Sequence, residues 1–250
     1  MEERMTWALF DLDDTLLDHD SFARFLIHIL RRNPIRLILA LAVLPFVSVL
    51  LARRRWKLRG ASLLLWVGTV GVRQAALDDI VRRYVNGLRA RDRLRPAASD
   101  ALELHFENGD QVVVVTACAE LLAVPLCQDI DSRIEVVGSA LRRQYGGFIS
   151  GRHCHGGRKV EMLAERGVVD GVIAAYGDRP SDAPMLNLAQ TAFLINMAAP
   201  VARRVRAQLS RPDRVVVAEW PIRESDTGKV DRSGTADGAG GSRFSTPADE

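Results

Sequence analysis

Six short apolar runs rich in β-branched residues punctuate this chain of 250 residues, and most of what lies between them has helical periodicity. The runs are 6–11 (TWALFD), 111–116 (QVVVVT), 134–139 (IEVVGS), 172–178 (VIAAYGD), 191–196 (TAFLIN) and 214–220 (RVVVAEW). Several are apolar at successive positions, as strands covered on both faces tend to be. Such strands alternating with helices predict an α/β fold, a Rossmann-like parallel sheet with its functional groups at the carboxyl ends of the strands. Residues 144–152 (QYGGFISGR) place Gly-Gly between alternating residues and read as a small hairpin.

About a hundred residues separate the first run from the second, far more than one crossover helix needs. The expected organisation is therefore a core from 1–16 and 111–223, with a helical, apolar cap of 17–110 inserted after the first strand. Residues 224–250 turn to Ser, Thr, Gly and Asp without apolar periodicity and predict a disordered tail. Within the cap, 35–52 (IRLILALAVLPFVSVLLA) is apolar apart from Arg36, with Pro45 inside. Arg31 and Arg32 precede it, and Arg53, Arg54 and Arg55 follow. A second apolar stretch, 61–72 (ASLLLWVGTVGV), comes next, and 75–91 and 96–108 read as amphipathic helices.

Apolar residues make up 48% of the chain and charged ones 26%, which excludes a mostly disordered or collagen-like protein. Cys118, Cys127 and Cys154 form no CxxC, so neither a disulfide framework nor a structural zinc site is expected, and a reducing compartment is the default. The net charge of +3 is smaller than the five basic residues of RRRWKLR, 53–59. The basicity is therefore local, whereas a nucleic-acid binder spreads it over a face; no nucleic acid and no protein partner is expected. The N-terminus has no basic n-region, apolar h-region or cleavage site, so no signal peptide is read.

The chemistry-bearing signal is Asp11-Leu12-Asp13-Asp14-Thr15, placed where the first apolar run ends. Carboxylates at i and i+2 after a strand offer a nucleophile or metal ligand beside a group for proton transfer. An acidic turn capping a helix is the alternative. Thr116 closes the second run, Lys159 opens KVEMLAERG, and Asp178 closes the fourth, followed four residues on by Asp182. Each has a bland counterpart, as an N-cap, a solvated helix residue or a turn. Lysine is scarce, however, with only Lys57, Lys159 and Lys229 among 34 basic residues.

In order and spacing these segments resemble the four motifs of the haloacid dehalogenase (HAD) superfamily of phosphatases, over residues 7–196. The resemblance implies that Asp11 is the nucleophile forming an aspartyl-phosphate. Asp13 would protonate the leaving oxygen and then activate water, while Thr116 and Lys159 hold the phosphoryl oxygens. Asp11, Asp178 and the Asp13 main-chain carbonyl would hold Mg²⁺, with Asp182 in support. A hard cation and a lysine are what neutralisation of equatorial phosphoryl oxygens requires. A second acid at i+2 favours a phosphatase over a dehalogenase, because an alkoxide leaving group needs a proton. Asp14 stands where many relatives carry Gly.

The same resemblance makes the insertion a cap that selects substrates, and topology limits what its apolar stretch does. Asp11 precedes the stretch while Thr116, Lys159 and Asp178 follow it, so any membrane crossings must be even in number. As a helix 35–52 would reach about 27 Å and 61–72 only about 18 Å, against about 30 Å of hydrocarbon. Arginine on both flanks and a helix-breaking Pro45 favour a monotopic or re-entrant pair. Arg53, Arg54, Arg55, Trp56, Lys57 and Arg59 would then contact an anionic membrane surface. A buried cap in a soluble protein is the alternative.

LRRNP (30–34), SLLLWVGTVG (62–71), RQYGG (143–147) and Cys154 resemble, within subfamily IB, the bacterial phosphatidylglycerophosphatase C branch. That resemblance implies dephosphorylation of phosphatidylglycerophosphate at the cytoplasmic face of the inner membrane. The alternatives are a phosphatase for a soluble monoester of the phosphoserine type, and a non-catalytic membrane-binding module. His153, Cys154 and His155 lack a fourth ligand at zinc spacing, and His19 and Asp20 are expected at the surface. Trp56 fits an interfacial anchor and Trp66 either an anchor or core.

Overall fold

The computed structural model describes residues 5–53 and 56–222, so the predicted tail, Arg54 and Arg55 lie outside the described residues. In chain order the strands are β1 (Trp7–Phe10), β2 (Gln111–Ala119), β3 (Glu135–Ser139), β4 (Leu141–Gln144), β5 (Gly147–Ser150), β6 (Val172–Gly177), β7 (Thr191–Ile195) and β8 (Val215–Ala218). The helices are α1 (Ser21–Arg31), α2 (Pro34–Ala52), α3 (Lys57–Thr69), α4 (Gln74–Leu88), α5 (Pro96–Glu107), α6 (Glu120–Ile130), α7 (Gly157–Glu165), α8 (Ala183–Leu186) and α9 (Ala199–Arg206).

Six strands form one sheet in the order β3-β2-β1-β6-β7-β8, every neighbouring pair parallel. All six apolar runs are strands of it. Alternation along each strand explains why successive residues are apolar. Ala8, Phe10, Val112, Val114 and Tyr176 belong to one core, and Leu9, Val113, Val115 and Ala175 to a second. The chain order reverses direction at β1, the place where such sheets open a crevice beyond their carboxyl ends.

β4 and β5 form the expected hairpin, turning through Tyr145 and Gly146 at φ 48° and 77°. The hairpin is separate from the main sheet and is fastened to α3. Phe148 N–H donates to Thr69 Oγ1 at 2.8 Å, Gly71 N–H to Gly146 O at 2.8 Å, and Ser150 N–H to Ser62 Oγ at 3.3 Å.

α2 is one continuous helix through Pro45, which corrects the expectation of a break. Its Asn33 cap accepts from Ile35 N–H, and Pro34 occupies the first turn, where a missing N–H costs nothing. With eleven helical residues before it and seven after, the helix carries the one backbone bond that Pro45 removes. Only Ala40, Val47 and Leu50 of α2 are buried. Ile35, Ile38, Leu41 and Phe46 are 57–67% exposed, so the helix turns most of its apolar surface outward. It is the one described helix long and apolar enough to cross a membrane.

Candidate active site

Asp11 leaves the end of β1 with its N–H donating to Tyr176 O at 2.9 Å, which keeps it in line with β6. Its carboxylate accepts from the Lys159 ammonium at 2.5 Å, and the same ammonium donates to Asp182 at 2.7 Å. Lys159 sits in the first turn of α7 with 1% of its surface exposed. Asp178 follows β6 directly, and Asp182 closes the short turn Pro180–Asp182, where it accepts from Arg179 N–H at 3.1 Å. Gly177 makes this turn possible: a Cβ there would lie 2.8 Å from the Asp182 Cβ.

Asp11, Asp178 and Asp182 each present an oxygen within 4.8 Å of the others. Oxygen-only donors at this spacing fit a hard divalent cation. The electrostatics agree, because Lys159 and Arg179 are the only cations paired with Asp11, Asp14, Asp178 and Asp182 among the described residues. Burial raises Asp11 well above the ordinary carboxylate range, and Lys159 offsets only part of it. Burial, then the Asp182 charge, pushes Asp178 up to about 6. Burial pulls Lys159 down, but Asp11 and Asp182 more than reverse it, so the ammonium stays charged.

Asp13 stands apart from that triad. Its carboxylate accepts from Ser21 N–H at 2.8 Å, at the first turn of α1, and burial pushes it up to about 6 against that bond. A carboxyl in this range exchanges protons near neutrality. Asp14 adopts φ 62°, a left-handed conformation that Gly takes freely and Asp tolerates, and its carboxylate pairs with Arg179 at 2.6 Å.

β2 continues past Thr116 to Ala119, three residues longer than the sequence pattern predicts. Thr116 is two residues beyond Val114, the partner of Phe10, and so stands at the carboxyl edge beside the Asp11–Asp13 turn. Its hydroxyl accepts from Cys118 N–H at 3.0 Å. Next to it is a hub the sequence reading missed. Ser139 Oγ donates to Ala117 O at 2.8 Å, accepts from Cys154 N–H at 2.9 Å, and meets His153 Nδ1 at 3.0 Å. A polar residue closing an apolar run was the available signal, and it was shared by too many positions to single out. Arg179 was missed too, although an acid at the glycine position of the first motif foreshadows a partner.

His153 and His155 stack with ring centroids 5.5 Å apart, while the Cys154 thiol turns inward toward Val137 O, so the three do not converge as ligands. His19 is 5% exposed and paired with Asp18, which corrects its expected surface position; Asp20 caps α1 through Ala23 N–H. Trp66 is packed against the hairpin. Arg53, Trp56 and Arg59 are exposed, and the Lys57 side chain lies outside the described part of the structure.

Among solved structures, the fold is similar to a protein of unknown function from Bordetella pertussis Tohama I, at 20% identity, 85% of this chain and 98% of that one, with TM-score 0.64. It is also similar to a phosphoserine phosphohydrolase-like protein from Francisella tularensis subsp. tularensis SCHU S4 (16% identity, 85% and 95% covered, TM-score 0.51). A third likeness is to a phosphoserine phosphatase in a phospho-aspartyl intermediate analogue form (12% identity, 86% and 94% covered, TM-score 0.52). Residues 8–187, which carry Asp11, Thr116, Lys159, Asp178 and Asp182, match the haloacid dehalogenase-like hydrolases, and the chain belongs to that family.

Proposed function

We propose that this hydrolase is a Mg²⁺-dependent phosphomonoesterase that dephosphorylates phosphatidylglycerophosphate to phosphatidylglycerol at the cytoplasmic face of a bacterial inner membrane. The observation that carries the phosphatase reading is the Asp11 carboxylate, held by Lys159 inside an acidic triad, with Asp13 held separately two residues on. Asp11 attacks the phosphorus, and the bond to the leaving alcohol breaks as Asp13 delivers its proton to the departing oxygen. Asp13, now a carboxylate, takes a proton from water as that water attacks the aspartyl-phosphate, releasing phosphate and restoring Asp11. Lys159 and the Thr116 hydroxyl hold equatorial oxygens. Asp11, Asp178 and the Asp13 carbonyl, with Asp182 in support, would hold Mg²⁺, which would supply charge neutralisation on the phosphoryl group.

The membrane reading rests on α2. A buried core helix hides its apolar residues, whereas α2 exposes Ile35, Ile38, Leu41 and Phe46 beside the exposed Arg53 and Arg59. α2 packs on α3 and α1 by one side, and the apolar face it leaves exposed is the one that would lie in one leaflet as a monotopic element. A soluble phosphoserine-type substrate remains the second reading, favoured by the fold of the phosphoserine phosphatase neighbour. The test is Mg²⁺-dependent phosphate release from phosphatidylglycerophosphate in mixed micelles, beside phosphatidic acid and phosphoserine, with Asp11→Asn as blank. Preference for phosphatidylglycerophosphate is expected; preference for phosphoserine overturns the lipid assignment, and inactivity of wild type on all three overturns the phosphatase.

A further inference from the structure

Five polar atoms in the cap are buried without a hydrogen-bond partner among the described residues, and two of them, His28 Nε2 on α1 and Tyr84 Oη on α4, belong to side chains in contact. Leaving such an atom unpaired costs about 1–3 kcal/mol, so its persistence asks what supplies the missing bond. The two rings face each other with centroids 4.9 Å apart and tilted by 53°, and Phe25 meets Tyr84 edge-on at 5.3 Å.

Their position relative to the catalytic carboxylates gives the answer. Ser21, Phe25 and His28 stand at i, i+4 and i+7, on one face of α1. Ser21 is the residue whose N–H holds Asp13, and His28 lies about two turns, roughly 10 Å, farther along the helix. The Tyr84 hydroxyl is within electrostatic reach of Asp13 and of Cys118, two residues beyond Thr116. The α1–α4 seam therefore begins at the acid that serves the leaving oxygen and runs outward between these two helices of the cap.

We propose that this seam is the leaving-group pocket and that Tyr84 and His28 are its specificity-determining residues, hydrogen-bonding the hydroxyls of a polyol. The inference rests on the phosphomonoesterase reading and adds the residues that recognise the alcohol released. A tyrosine hydroxyl both donates and accepts, and a neutral imidazole does one at each nitrogen. Burial, aided by Arg32, holds His28 below its usual range and hence uncharged near neutrality. A neutral donor–acceptor pair matches hydroxyl groups better than an ammonium or a carboxylate. Arg24 lies within electrostatic reach of Tyr84, as Arg32 does of His28, and they suit a second anionic group on the same leaving alcohol. A glycerol carrying a phosphodiester has that combination, and the serine of phosphoserine does not.

The test compares kcat/KM for short-chain dihexanoyl phosphatidylglycerophosphate and p-nitrophenyl phosphate in wild type, Tyr84→Phe and His28→Phe. Tyr84→Phe keeps the ring and its stacking. Each variant is expected to lose about tenfold on the glycerol substrate, the equivalent of about 1.4 kcal/mol, and to stay within about twofold on p-nitrophenyl phosphate. Equal losses on both substrates, or none on either, overturn the pocket. Should wild type hydrolyse neither, the phosphatase reading fails on its own, and the pocket is judged by titration with dihexanoyl phosphatidylglycerol. A Kd about tenfold weaker in Tyr84→Phe supports it there, and no binding or an unchanged Kd overturns it.

Discussion

Trp66 of α3 donates its indole N–H to the carbonyl of Tyr145, at the tip of the β4–β5 hairpin, over 3.2 Å. This bond joins the inserted cap to a segment 79 residues later, beside the loop that leads to Lys159. Gly147 allows the approach, since a Cβ there would stand 2.7 Å from Trp66 Cδ1 and 3.1 Å from its backbone oxygen. The hairpin and Ser21 at Asp13 are thus two of the places where the cap is tied to the core, beside Ala90 and Arg91 at the end of α6 and Arg95 at Trp220.

Gly147→Ala should therefore destabilise the protein by about 1–3 kcal/mol through overpacking, with the indole displaced. Trp fluorescence and urea unfolding check this together: a shifted emission maximum and a lower midpoint are expected. An unchanged midpoint would show that the hairpin yields without cost.

Lys159 answers to both Asp11 and Asp182, so its removal strands two buried carboxylates. Lys159→Met should lower stability by about 3–5 kcal/mol in EDTA, a fall on the order of 10 °C in Tm. Asp11→Asn does the reverse: it relieves a crowd of acids and should unfold no earlier than wild type, while phosphate release falls about a thousandfold or more. Thermal melts in EDTA and phosphate assays on the same preparations decide. Asp11→Asn melting well below wild type would contradict the excess of negative charge inferred at the site.

The sheet was legible because a strand buried on both faces has few substitutes for Val, Ile, Leu and Ala, and the first, second and fourth runs end at a polar site residue. Asp11 and Asp178 could be placed for that reason. Lys159 was locatable through its place in the motif order and, more weakly, through the rarity of lysine here, as its burial depends on acids far away in the chain. Pro45 misled, since one missing hydrogen bond weighs little inside a long helix. The docking of β5 on α3 was illegible: it depends on the shape of Gly147 against Trp66, which no periodicity encodes. The Ser139 hub was hidden likewise, because its partners come from three separate segments.

That hub fixes a protonation state. Ser139 spends its one hydrogen on Ala117 O, so His153 Nδ1 must be the donor in their 3.0 Å contact, and a second proton on His153 goes to Nε2. Burial, then His155, Arg158 and Lys159, pushes His153 down to about 4 from 6.5. Between those values the unfolded chain binds the proton and the folded one does not. This contribution to stability is therefore complete above pH 6.5 and is lost as pH falls towards 4. The ring is partly exposed, so screening holds the loss to about 1 kcal/mol. The fall in Tm from pH 7 to 4.5 should be smaller in His153→Phe than in wild type, the carboxylates cancelling between them. Parallel curves would remove His153 from the acid response.

The outward face of α2 makes the last prediction. Ile38 and Phe46 are 66% and 61% exposed, so glutamates at both should leave folding intact. In a monotopic element each apolar side chain contributes roughly 1.5–3 kcal/mol on entering the acyl boundary, and the two together correspond to at least a hundredfold in partitioning. Wild type should float with vesicles containing anionic phospholipid and resist a salt wash in part, because salt weakens the arginine contacts while leaving the apolar ones. Ile38→Glu/Phe46→Glu should remain in the soluble fraction, lose turnover of long-chain phosphatidylglycerophosphate in vesicles, and keep turnover of p-nitrophenyl phosphate. Flotation of the double variant equal to wild type would place the membrane contact elsewhere, and failure of wild type to float would return α2 to a role within the protein.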